Sequence, residues 1–272
     1  AILAINLKGG GGFEIWQYTS RTPEAPKFNP QLGDLGLYCA KIKSENINES
    51  YNFLKSNNVN IISEIFNNPL GKKHFFIKDA FNNLFEIIED DIWFGKGKKS
   101  TGGPIGMIIG VTNIEKSIKF YKDVLGYDKV LFNEQNKFND FENLPKGSNQ
   151  FKRAILTHSK KRVGPFSQLF GNSYIELVEA IDYTPKKIFE IPREFDFNPA
   201  NPAGLFDAEN AFPSSADPAP ANPNTLGSIS FFRKESVDKP ALWPPKFGNI
   251  CAVSQSGVVR TIRMLRNDFF NV

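Results

Sequence analysis

Three short stretches of the chain set a glutamate among apolar residues: Phe13-Glu14-Ile15-Trp16, Phe85-Glu86-Ile87-Ile88 and Ile175-Glu176-Leu177-Val178. Successive side chains of a β-strand point to opposite faces, so each glutamate looks away from the two apolar residues beside it. A carboxylate buried in an apolar strand costs several kcal/mol unless it is paired, protonated or bound to a cation. One such residue is compatible with an exposed sheet face. Three, at the ends of similar segments, point to a repeated unit that holds a carboxylate inside a cup, where it could bind a cation or move a proton.

Few other residues are candidates for chemistry. Of the two histidines, His74 opens a strand with Phe76 and Lys78 on its face, and reads as a cup-lining residue or as a packing or surface histidine. His158 precedes Lys160, Lys161 and Arg162, a basic loop that is either solvated or able to hold an anion over the cup mouth. Trp16 and Tyr18 share the Glu14 face and could wall a pocket with aromatic surface. Cys39 reads as a small buried hydrophobe or as a ligand. Local sequence supports no Ser-His-Asp or Cys-His arrangement.

The elements that must position these residues repeat in order. Residues 35–42 read as a strand, about 45–56 as a helix with Ile47, Tyr51 and Leu54 on one face, and 59–65, 73–78 and 84–89 as strands. Asp79-Ala80-Phe81-Asn82-Asn83 supplies the last hairpin. Then residues 105–111 read as a strand, and Asn113 caps a helix striped by Ile114, Ile118, Tyr121 and Leu125 and stopped by Gly126. Strands follow at 129–133, 151–157 and 173–179. Both units are β-α-β-β-β with a glutamate in the closing strand. The fold class is therefore α+β: tandem modules forming curved mixed sheets with helices outside. Residues 1–18 read as the last two strands of a further unit, joined by a turn over residues 9–12.

The domain reading is a paired-module domain over 1–94 (its first module incomplete at the N-terminal side), a linker over 95–103 and a further module over 104–190. Residues 191–226 turn to Pro, Ala and Asp and read as an extended linker, the expected site of proteolytic nicking, and 227–272 as an unassigned tail. Residues 1–5 read as a strand entered midway, and the missing initiator Met agrees.

At 272 residues, with 40% hydrophobic and 23% charged residues, the composition is that of a soluble globular protein. The net charge of +4 is mild and the basic residues are interleaved with acids, which argues against a nucleic-acid surface. No apolar run approaches membrane-span length. Two cysteines make neither a disulfide framework nor a zinc pair and fit a cytoplasmic protein.

Two motifs carry a resemblance: Gly110-Val111-Thr112-Asn113-Ile114-Glu115-Lys116-Ser117-Ile118-Lys119-Phe120-Tyr121 with Leu125-Gly126-Tyr127, and the hairpin from Phe76-Ile77-Lys78-Asp79 through Asn83-Leu84-Phe85-Glu86-Ile87. With the repeat and its terminal glutamate, residues 1–190 resemble the vicinal oxygen chelate superfamily, the group of glyoxalases, bleomycin-resistance proteins and extradiol dioxygenases. The resemblance implies paired modules whose sheets form a cup around a divalent metal (Zn, Fe, Ni, Mn or Mg), a small-molecule ligand and often a homodimer. It implies Glu14, Glu86 and Glu176 as last-strand metal ligands and Cys39 as the first-strand position, with Glu86 moving protons in lyase or dioxygenase chemistry. The equivalent first-strand position in the second unit is Gly106, which ligates nothing. On this reading Glu14 and Glu86 share one cup. The absence of first-strand histidines leaves open a metal-free binding or sequestering protein, whose carboxylates would pair with a cationic ligand.

Overall fold

The computed structural model describes residues 2–15 and 26–188. Trp16 and Tyr18, the linker over 191–226 with its nicking site, and the tail over 227–272 lie outside the described residues.

A first hairpin, β1 (Ile2–Ile5) and β2 (Gly12–Ile15), forms a two-stranded sheet of its own. Gly10 and Gly11 turn it at φ of +77° and +73°, which glycine adopts without the Cβ penalty. The first unit then runs β3 (Gly36–Ser44), α1 (Ile47–Ser56), β4 (Asn60–Ile61), β5 (Phe66–Asn67), β6 (Lys73–Lys78) and β7 (Leu84–Glu89). The second runs β8 (Thr101–Gly110), α2 (Ile114–Leu125), β9 (Lys129–Asn136), β10 (Phe151–Thr157), a short helix α3 (Ser167–Phe170) and β11 (Tyr174–Ala180). Strand β8 begins inside the stretch that reads as a linker, and β9 runs past its expected end.

The helices start and stop for local reasons. The Asn46 side chain accepts from the Glu49 amide at 3.1 Å, and Asn113 accepts from the Lys116 amide at 2.9 Å, each satisfying a first-turn donor. Gly126 ends α2 in the left-handed region at φ of +74°.

Both units join one nine-stranded sheet in the order β4-β6-β7-β3-β8-β11-β10-β9, with β5 on β6. Each half runs second, third, fourth, first strand toward the middle, where β3 and β8 pair antiparallel. The halves are thus related by an approximate twofold between β3 and β8. The repeat leads one to expect residues 1–18 as the partner of the first unit. Instead its partner is the second unit, and the β1–β2 hairpin packs on the helix side: Phe13 meets Phe85 edge-on at 6.4 Å.

Alternation assigns the two faces. Ala40, Ile42, Phe75, Ile77, Phe85 and Ile87 pack under α1; Met107, Ile109, Ala154, Leu156, Ile175 and Leu177 pack under α2. The opposite, concave face is covered by a third apolar cluster that includes Cys39, Phe76, Ile108, Phe138, Phe141 and Phe151. Phe138 and Phe141 come from the connection between β9 and β10, which folds over the cup with a 3-10 turn at Asn139–Phe141. Among the described residues no helix is long and apolar enough to cross a membrane.

Candidate functional site

The cup floor is built by strand register. Lys41 faces the cup from β3, because its neighbours Ala40 and Ile42 face α1, and the parallel pairing with β7 sets it opposite Glu86. On β6, Phe76 lies opposite Glu86, so His74 is the diagonal neighbour of that glutamate. The second unit repeats the arrangement. Ile155 lies opposite Glu176 and Arg153 is its diagonal neighbour. His74 and Arg153 are therefore equivalent positions about the twofold, as are Glu86 and Glu176.

Six side chains close into a ring. The Lys41 ammonium donates to Oε2 of Glu86 and lies 2.6 Å from Oε2 of Glu176. Arg153 Nε donates to Oε1 of Glu176 at 2.5 Å, and its Nη1 donates to Oδ1 of Asp140 at 2.8 Å. His74 completes the circuit, with Nδ1 3.0 Å from Oε1 of Glu86 and Nε2 3.3 Å from Oδ2 of Asp140. The histidine contacts and the one from Lys41 to Glu176 are ion pairs by distance that do not meet hydrogen-bond alignment. His74, Glu86, Arg153 and Glu176 are 0% exposed, Lys41 2% and Asp140 5%, so the ring is sealed from bulk water. Phe141 and Phe138 lie against the Arg153 guanidinium, with ring centroids 3.8 and 5.0 Å away.

Burial and pairing act in opposite senses on Lys41, Glu86, His74 and Asp140. Burial works to lower the Lys41 pKa, but Glu176 and Glu86 outweigh it and hold the ammonium above its usual range. Burial pushes Glu86 up, while Lys41 and then His74 bring it down to about 2. Burial also works against a charged His74; Glu86 and Asp140 overcome it and raise the imidazole above its ordinary value. Burial raises Asp140, and His74 and Arg153 prevail to lower it. With His74 protonated, the three acids and three bases of the ring cancel.

The donor set can be tested against a divalent metal on this geometry. All six carboxylate oxygens of Glu86, Glu176 and Asp140 already lie within ion-pair distance of a basic nitrogen. A further cation would have to displace Lys41, whose charge already stands between the two glutamates. The arrangement does not fit a divalent metal, and among the described residues no group of three His, Cys, Asp or Glu side chains is disposed to hold one.

The expected site residues separate accordingly. Glu86, Glu176 and His74 meet in the ring. Glu14 does not: it lies opposite Leu3 in the separate hairpin, whose Phe13 packs on the Phe85 side of β7, the face away from Glu86. Cys39 faces the cup two residues before Lys41 and is fully buried; burial and the Glu86 charge push its thiol well up, so it packs as a small apolar group. Gly106 sits opposite Lys41 on β8, and a Cβ there would come within 2.2 Å of the Tyr174 carbonyl oxygen. His158 stands apart from the cup, against the Tyr127 ring at 4.1 Å, with its Nε2 2.7 Å from Arg162 Nη2.

Lys41, Arg153 and Asp140 join the ring without being among the expected site residues. Lys41 and Arg153 each have a lysine close by in their own strand (Lys43 and Lys152), so the local sequence does not single out which charge faces the cup. Asp140 carries no signal, since it lies in a connection of irregular backbone.

No protein-family model and no curated protein matches the chain. Solved structures similar to it include glyoxalase I from Zea mays, at 17% identity over 57% of this chain and 46% of that one, with a TM-score of 0.35. A variant of methylmalonyl-CoA epimerase from Streptomyces coelicolor is 12% identical over 54% of this chain and 97% of that one, with a TM-score of 0.31. The chain spans about half the length of the maize glyoxalase I structures it matches.

Proposed function

We propose that the protein binds a small molecule in a glyoxalase-like cup without a divalent metal. The observation that carries this is the Lys41 ammonium, seated between the closing-strand glutamates of both units and occupying one oxygen of each. A purely structural cup would be filled at lower cost by apolar side chains, since buried ion pairs are commonly no more stabilising than their apolar replacements. Six ionisable side chains gathered at one concave surface, with Lys41 and His74 raised and Glu86 and Asp140 lowered, mark a binding site better than a core. Glu86, held at about 2, is a weak proton acceptor near neutrality, which favours binding over acid–base chemistry. The carboxylates are already neutralised from within, which disfavours a cationic ligand.

Elemental analysis of the purified full chain, with thermal-shift titrations of Zn, Fe, Ni, Mn and Mg, tests the reading. The expected result is no stoichiometric metal and no saturable stabilisation by any of these ions. One equivalent of metal that disappears in Glu86→Gln would overturn it.

A further inference from the structure

Five members of the ring stand on sheet strands: Lys41 on β3, His74 on β6, Glu86 on β7, Arg153 on β10 and Glu176 on β11. Asp140 alone belongs to a connection. Without it the strands would present three bases against two acids, one positive charge in excess, at a point bordered by His74 Nε2 and Arg153 Nη1. The guanidinium is also incompletely used. Asp140 engages only Nη1, whereas Nη2 is buried and has no hydrogen-bond partner among the described residues. An arginine presents these two nitrogens as a fork that matches both oxygens of a carboxylate. A carboxylate tethered at Asp140 does not reach both.

The same connection inserts Phe138 and Phe141 against the guanidinium, beside Phe76 and Phe151 of the sheet. Asp140 and Phe141 together thus place a carboxylate and an aryl ring in the cup. We propose that the cup binds a small organic carboxylate with an apolar, aryl-sized body, which replaces Asp140 between His74 and Arg153 as the 137–149 connection lifts. This rests on the reading of the cup as a metal-independent binding site, and it names the ligand class. Lifting the connection uncovers Phe138, Phe141 and Leu144, whose apolar burial opposes the opening. The covered state therefore lowers the apparent affinity of the wild-type chain.

Phenylacetate, phenylacetamide and phenethylamine, three probes of one shape and different charge, are titrated into the full chain by calorimetry and thermal shift. Phenylacetate is expected to bind and stabilise while the amide and the amine do not. Asp140→Asn keeps the side chain's shape and removes the competing charge, so it should tighten phenylacetate binding by about tenfold or more. Adding Arg153→Met should abolish the gain. A readout independent of any variant is hydrogen exchange of the wild-type chain, in which phenylacetate should speed exchange at residues 137–144 and slow it in β6 and β10. Failure of phenylacetate to bind, equal binding of acid and amide, or unchanged exchange in the connection overturns the proposal. Binding of the amide or amine without metal would defeat the carboxylate assignment while leaving the metal-independent cup intact. A stoichiometric metal lost in Glu86→Gln would defeat the cup reading beneath it.

Discussion

Lys41 is the residue on which the site turns. It is one side chain serving two symmetry-related carboxylates, because its twofold equivalent region on β8 is apolar or glycine: Ile108 lies opposite Glu176, and Gly106 lies opposite Lys41 itself. Removing one partner of a buried ion pair leaves an uncompensated charge and costs about 3–5 kcal/mol. Lys41→Ala should lose about that much stability in urea unfolding near neutral pH, because Glu86 and Glu176 then face each other with no cation between them. The same change frees Oε2 of Glu86 and Oε2 of Glu176. Zinc is therefore expected to restore part of the lost stability in Lys41→Ala and to leave the wild-type chain unmoved, as read by melting temperature with and without chelator. Equal zinc response in both proteins would contradict the assignment. A glutamate repeated in closing strands was legible in the sequence for a physical reason, its mismatch with an apolar strand. Its partner was not. The sequence places Cys39 at the first-strand position, two residues away on the same face, and only the β3–β7 register selects Lys41.

The elements were legible where the pattern is local. Helix α2 carries its cap, its stripe and its terminal glycine within fourteen consecutive positions, and β6, β7 and β10 have the bounds their alternation gives. What the local pattern cannot contain is which unit pairs with which. The β1–β2 hairpin looks like half a module, yet its Phe13 finds the helix-side core beside Phe85, and the cup is completed by β8 to β11. Gly106 illustrates how tightly that joint is made. A Cβ within 2.2 Å of backbone at Tyr174 forces β8 and β11 apart, and neither strand has a flexible side chain there to yield. Gly106→Ala should cost about 1–3 kcal/mol and weaken ligand binding, since it shifts Glu176 relative to Lys41. Asn113→Ala, at the far end of α2's own unit, should cost about 1 kcal/mol from the lost cap and leave binding unchanged. Calorimetry of both variants with one ligand separates damage to the joint from general loss of stability.

At the scale of the whole molecule, two histidines make opposite demands on pH. His74 is raised by Glu86 and Asp140 against its burial, so its contribution is fully present below the unfolded value of about 6.5 and fades as pH climbs through its higher folded value. Lys41, also raised, keeps its charge throughout that interval. His158 is lowered by burial and by Arg162, so its contribution is present at high pH and is lost as pH falls from about 6.5 toward its lower folded value. The wild-type curve near neutrality therefore mixes two opposing slopes, and single variants resolve them. His74→Gln should be most destabilised at mildly acidic pH, with the deficit shrinking as pH rises, whereas the deficit of His158→Gln should grow. Below about pH 4.5 a third effect enters for the wild-type ring. Glu86 titrates at about 2 in the fold, so stability should fall steadily between those values as its pairing with Lys41 is lost, and Asp140, also lowered, adds to the same slope. Because the ring is sealed from solvent, the His74→Gln difference should vary little between low and moderate salt, unlike that of an exposed pair. Urea unfolding of the two variants and the wild-type chain across pH 5 to 9 gives the decisive comparison. If the His74→Gln deficit grows with pH, His74 is neutral in the fold, and the ring carries one negative charge too many for the closed arrangement drawn from its distances.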